Sequence, residues 1–147
     1  MDQLERFFED LFLKKIGFQL PANVKEIIVK IAPWLTIIGV VVSLPALFAI
    51  FGFGSFVAGM AAAYGVGLGT RYYLGIAVLA VQLVLMGMAI PGLMKREAKG
   101  WKLIYYSALV SAVYGLFSAM NLGGAIFSLL GSAIGLYFIF QVKSYYK

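Results

Sequence analysis

Apolar residues change their spacing along this chain, and each change marks a different kind of helix. Leu4, Phe7, Phe8, Leu11 and Phe12 follow an i, i+3, i+4, i+7, i+8 pattern, so they share one face of a helix over 2–16. Asp2, Glu5, Arg6, Glu9 and Asp10 fall on the other face. That helix is too short and too charged to cross a bilayer and is expected to lie in the interface. Gly17 and Pro21 should end it. A second short helix follows, in which Asn23 and Glu26 have capping-box spacing and Val24, Ile27, Ile28 and Ile31 line one side.

From residue 33 the amphipathic pattern gives way to long uncharged runs. A helix needs about 20 apolar residues to cross a bilayer. Runs over 33–53, 72–94, 101–120 and 125–142 are read as four such spans. Pro45 should kink the first by removing its bond to Val41. The Gly- and Ala-rich stretch 54–70 is too short to span again. Its Ser55–Tyr64 part suits a short helix that Gly65, Gly67 and Gly69 should break. Trp34, Tyr72, Tyr73 and Trp101 stand at span ends as interface anchors. The expected fold is therefore an all-α membrane protein. Residues 1–32 form one or two amphipathic interfacial helices, and 33–147 form a four-helix transmembrane domain.

Composition supports lipid as the solvent. Of 147 residues 63% are hydrophobic and 12% charged, half the charge share of about 25% in soluble domains. The first residues hold no basic n-region, so no removable leader is expected. The net charge of +6 fits insertion orientation better than nucleic-acid binding. With four spans only Arg71 of the 12 cations falls on one side, which places both termini in the cytoplasm. An inner membrane of bacterial type is the expected location.

The residue inventory bears on chemistry. Cysteine and histidine are absent, which removes disulfides, thiolate nucleophiles and most zinc or copper ligation. No ionisable side chain falls inside a span, as proton relays and ion-coupled transporters require. No metal, no cofactor and no enzymatic activity are expected. Gln82 lies mid-span, and its amide needs a partner there.

Small residues form stripes on the last two spans. Ser107, Ser111 and Gly115 lie on one arc of the third, and Gly124, Ser128, Gly131 and Gly135 on one arc of the fourth. Small faces let membrane helices approach closely, so these arcs are expected to pack together across the hairpin. The N-terminal helix offers a further contact. Its acids are expected to meet the basic loop 95–102, with Lys95, Arg96, Lys99 and Lys102, while its apolar face docks on the bundle or lipid.

One string points elsewhere. Gly65-Val66-Gly67-Leu68-Gly69 resembles the selectivity filter of potassium channels, where successive backbone carbonyls replace an ion's water shell. Gly65 stands where that motif has threonine, and Thr70, followed by Arg71, stands where it has an acid. The resemblance implies a small uncoupled channel with its path near 54–70 and Gln82. The primary expectation is a non-catalytic, homo-oligomeric scaffold or accessory protein held by small-residue packing, with the lipid bilayer as its other partner.

Overall fold

The computed structural model describes residues 2–15, 18–65, 68–119 and 122–147, and among these the chain is helical with no strand. Helix α1 (Asp2–Glu9) runs on into a wide π-helical turn over Asp10–Lys15. Helix α2 (Ala22–Ala49) starts from Pro21, whose carbonyl accepts from the amides of Val24 and Lys25 at 3.0 and 3.1 Å. Asn23 therefore does not cap a helix; it lies inside one. The expected second interfacial helix and the first span are one element, unbroken at 32/33.

Pro33 and Pro45 lie within α2 without ending it, which membrane helices tolerate. Nor does α2 stop near residue 53. A π turn over Ile50–Gly54 leads directly into α3 (Ser55–Ala63), so Ala22–Ala63 is a single rod of 42 residues. At 1.5 Å per residue it is about 63 Å long, twice the roughly 30 Å of a hydrocarbon core. Gly65, at φ +73°, turns the chain out of this rod, as its conformational freedom predicts.

Helix α4 (Leu68–Met94) comes next, then α5 (Ala98–Ser118) and α6 (Leu122–Gln141), with a final 3₁₀ turn at Lys143–Tyr145. The turn from α4 to α5 is a Schellman motif. Glu97 N–H donates to Gly92 C=O at 2.7 Å and Arg96 N–H to Leu93 C=O at 3.2 Å. This demands a left-handed residue at Arg96, which has φ +56°. Glycines let α4 and α5 touch along their lengths. A Cβ on Gly92 would lie 2.7 Å from the Gly100 backbone, and one on Gly75 would lie 2.6 Å from the Tyr114 hydroxyl.

The helices stand in a row, α2 on α4, α4 on α5 and α5 on α6. Burial is concentrated at the end where both termini and the 95–97 turn meet. Phe12, Val29, Leu93, Trp101, Tyr105 and Phe140 form the centre of that core. Toward the opposite end large apolar side chains face outward, with Phe48 71%, Phe117 75% and Phe127 80% exposed. Water forces apolar surface together, whereas lipid tails solvate it. The terminal end is packed as if against water and the distal half as if against lipid.

Three elements are long and apolar enough to cross a membrane, namely Ala22–Ala63, Tyr72–Met94 and Leu122–Tyr145. The protein is thus helical, with apolar helices suited to a bilayer.

Candidate functional site

The densest polar arrangement joins the two chain ends. Val142 ends the apolar run of α6, and the 3₁₀ turn after it presents Lys143 beneath α1. The Lys143 ammonium lies 2.9 Å from Glu5 Oε1 and 2.7 Å from Glu9 Oε2. Glu5 and Glu9 are one helical turn apart, so both reach one cation. The ammonium also stands 5.3 Å from the centroid of Trp101 and 5.9 Å from that of Phe140, a cation–π geometry. All three charged side chains are partly screened from water, Glu5 most of all at 16% exposed.

Aromatic packing holds the seam beneath these charges. Phe12 stacks on Phe140 at 6.0 Å and meets Tyr137 edge-on at 6.3 Å, and Phe8 packs on both Phe12 and Phe140. Trp101 stacks on Tyr105 at 5.5 Å and donates its indole N–H to the Ile139 carbonyl at 2.8 Å. The linker after the π turn is pinned by α6. Tyr137 and Gln141 both donate to the Phe18 carbonyl, at 2.6 and 3.2 Å, and Gln141 Oε1 accepts from Leu20 N–H. Gln141 is 1% exposed and fully paired with backbone, as a buried amide should be.

The acidic face of α1 does meet a cation, but not in the basic loop 95–102. Its partner is Lys143, because the chain end lies between α1 and that loop. The apolar face divides as well. Phe8, Leu11 and Phe12 pack on the bundle, while Leu4 and Phe7 stay exposed.

The residues singled out in the sequence are dispersed. Gly65 occupies the turn after the rod, Gly67 lies outside the described residues, and Gly69 falls in the first turn of α4. Gln82 lines a cleft of about 300 Å³ with Ile50, Tyr72, Gly75 and Tyr114. The Tyr72 hydroxyl there donates to the Ile50 carbonyl, which also accepts from Ser55 N–H in the π turn, over Gly54, where a Cβ would strike its ring. A second, almost wholly apolar cleft of about 470 Å³ lies beside it between α4 and α5, lined by Leu74, Val78, Val113 and Phe117. Trp34 and Tyr73 are exposed, whereas Trp101 is 3% exposed and belongs to the core.

The small-residue arcs meet only in part. Gly115 faces Ser128 so closely that a Cβ would collide with its side chain. Ser107 is buried and Ser111 exposed, and Gly124 is exposed too. Gly131 and Gly135 do not lie in the α5–α6 contact, since a Cβ on either has nothing within 4 Å. The packing stripe of α6 shares Ser128 with the expected arc but continues through Ser132, Leu136 and Phe140, a step around the helix from Gly131 and Gly135.

Two titrating groups outside the spans are displaced. Burial pushes the Tyr146 phenol up, with the charge of Arg96 opposing it. The Lys14 ammonium is raised by its hydrogen bond to Asp10 on the exposed side of the π turn. Among the described residues no three metal-ligating side chains come together. The arrangement is suited to clasping the N-terminal segment to the last helix. Sequence reasoning counted Lys143 only toward orientation and did not weigh Tyr137, Phe140 or Gln141. Their one signal is a polar pair, Gln141 and Lys143, that flanks Val142 at the end of an apolar run.

No family model matches the chain, and no curated protein or solved structure is significantly similar to it.

Proposed function

We propose that this is a four-span membrane protein with both termini in the cytoplasm, acting without catalysis as a homo-oligomeric scaffold or accessory protein. Helix α5 packs between α4 and α6 in antiparallel sense. If its two neighbours cross the bilayer, it crosses with them. The charge asymmetry then sets the orientation.

The observation that carries the oligomer is the position of Gly131 and Gly135. They lie one turn apart on an edge helix, facing open space. A glycine pair at this spacing admits a second helix backbone closely enough for extensive van der Waals contact. A two-fold axis along α6 would pair the stripe with itself. Because each site is empty within the protomer, Gly131→Leu leaves the protomer's own packing intact and blocks only the association. Size-exclusion light scattering in detergent should report an oligomer for the wild type and a protomer for Gly131→Leu. An unchanged oligomer in that variant would overturn the α6 interface.

A second reading, an uncoupled channel, is favoured by the Gln82 amide facing a cleft inside the membrane-spanning layer. Conductance of reconstituted protein separates it from a scaffold, which passes no ions.

A further inference from the structure

Beside the Lys143 clasp lies an open cavity of about 360 Å³, between the linker, the start of α2 and the last turn. Phe140 and Tyr146 line one part of it, and its other lining residues are Glu9, Gln19, Lys25, Gln141, Lys143 and Ser144. Two of these are spoken for. Lys143 is matched by two carboxylates, and Gln141 is consumed by the linker backbone. The remainder are not. Among the described residues Lys25 has no carboxylate partner, and the side chains of Gln19 and Ser144 make no hydrogen bond. Glu9 is engaged through Oε2 alone, leaving Oε1 open, and its side chain is 40% exposed.

The cavity therefore offers one unmatched cation, neutral donors and, in the same lining, a carboxylate with a free oxygen. A simple anion would satisfy the first part and be repelled by the second. A zwitterion with a phosphate and a hydrogen-bonding ammonium satisfies both. Depth selects among zwitterions. Lys25 precedes Lys30, the last charge before the uncharged run of α2, by about 7 Å along the axis. That matches a headgroup layer of roughly 5–8 Å on each side of the hydrocarbon core. Phe18, the residue before the lining Gln19, is exposed and offers apolar surface along which an acyl chain can lie.

We infer that this cavity binds the headgroup of an aminophospholipid of the phosphatidylethanolamine type. Lys25, Ser144 and Gln19 take the phosphodiester, and Glu9 accepts from the ammonium. The inference rests on the reading of this end as lying at a membrane surface.

The test uses the full chain purified in detergent, given phosphatidylethanolamine, phosphatidylcholine, phosphatidylglycerol or inorganic phosphate. Native mass spectrometry should retain one phosphatidylethanolamine per protomer. Phosphatidylcholine, whose trimethylammonium cannot donate, and phosphatidylglycerol, which has no cation, should be held at least tenfold more weakly. Free phosphate should not compete. Lys25→Met and Ser144→Ala should each lower retention severalfold, while Lys95→Met, a change on the exposed turn between α4 and α5, should not. Equal retention of phosphatidylcholine, stronger retention of phosphatidylglycerol, competition by phosphate, or undiminished retention in both cavity variants would each overturn the assignment. Reporter fusions at the termini check the membrane reading separately, so its failure is distinguishable from a failure to bind.

Discussion

Lys147 and Arg96 exchange backbone contacts at the closed end of the protein. Lys147 N–H donates to the Arg96 carbonyl at 3.0 Å, and Ala98 N–H donates to the Lys147 carbonyl at 2.9 Å. The last residue is thereby paired, like a short strand, with the turn that reverses α4 into α5. Arg96 holds this pairing from a left-handed conformation that costs an L-residue roughly 1–2 kcal/mol. Glycine adopts it freely. Arg96→Gly should therefore stabilise the protein by up to about 1 kcal/mol, once glycine's greater freedom in the unfolded chain is subtracted. A thermal melt of the two proteins side by side checks this, and a lowered midpoint would show that the Arg96 side chain matters more than its backbone.

Removing Lys143 should unclasp the N-terminal segment. Lys143→Met deletes two charge-assisted contacts and leaves Glu5 largely enclosed without a counter-ion, a loss of about 1.5–3 kcal/mol. Hydrogen exchange in 2–15 should accelerate while the middle of α4 is unaffected. Adding Glu5→Gln to that variant should restore part of the protection, because the stranded charge is then gone. Additive damage from the two changes would mean that they do not share an interaction.

Glycines that look alike in the sequence should respond differently to alanine. Gly92→Ala and Gly100→Ala drive a methyl into backbone, with no flexible side chain to yield. Each should cost about 1–3 kcal/mol as overpacking. In Gly131→Ala the methyl enters open space, and the protomer should gain from alanine's better helix propensity, by up to about 1 kcal/mol. Comparable losses at all three positions, measured by denaturation in detergent, would contradict the geometry.

Orientation can be read directly. Reporter fusions after Lys30, near Lys99 and at Lys147 should report the cytoplasm, and one at Gly65 the opposite side. A cytoplasmic signal at Gly65 would leave the rod Ala22–Ala63 unable to span and would dismantle the four-span proposal.

The helices between charges were easily read. The second long apolar run covers 72–94, and α4 ends at Met94 because Lys95, Arg96 and Glu97 bound it. Gly65 was also legible, since a positive φ asks for glycine. The rod was not. Pro33 and Gly54 signal breaks in water, where a frayed backbone finds solvent, but in a lipid-suited helix staying hydrogen-bonded outweighs local propensity. Asn23 failed as a cap for a related reason, Pro21 having already begun the helix. Trp101 was misplaced because an indole near a span end is usually an anchor, and nothing local reveals a Tyr105 ring and an Ile139 carbonyl waiting for it.

The site was harder still. The acidic face of α1 advertises a cation but not which one, and Lys143 is no more conspicuous in the sequence than Lys95 or Lys99. Small-residue periodicity on α6 likewise finds two adjacent stripes. Only the packing shows that the Ser128 stripe meets α5 and that Gly131 and Gly135 point away.

The clasp also imposes an order on the birth of the molecule. Its contacts join positions 119 to 138 apart in the chain, from Phe18 with Tyr137 to Glu5 with Lys143. At 5–20 residues per second, roughly 6–28 s separate synthesis of the two sides. Throughout that interval Phe8 and Phe12 exist without Phe140, and Glu5 without its ammonium. The acidic, aromatic face of α1 must wait while the helices that follow are made one after another. The seam can close only once Lys143 and the turn that carries it have been made.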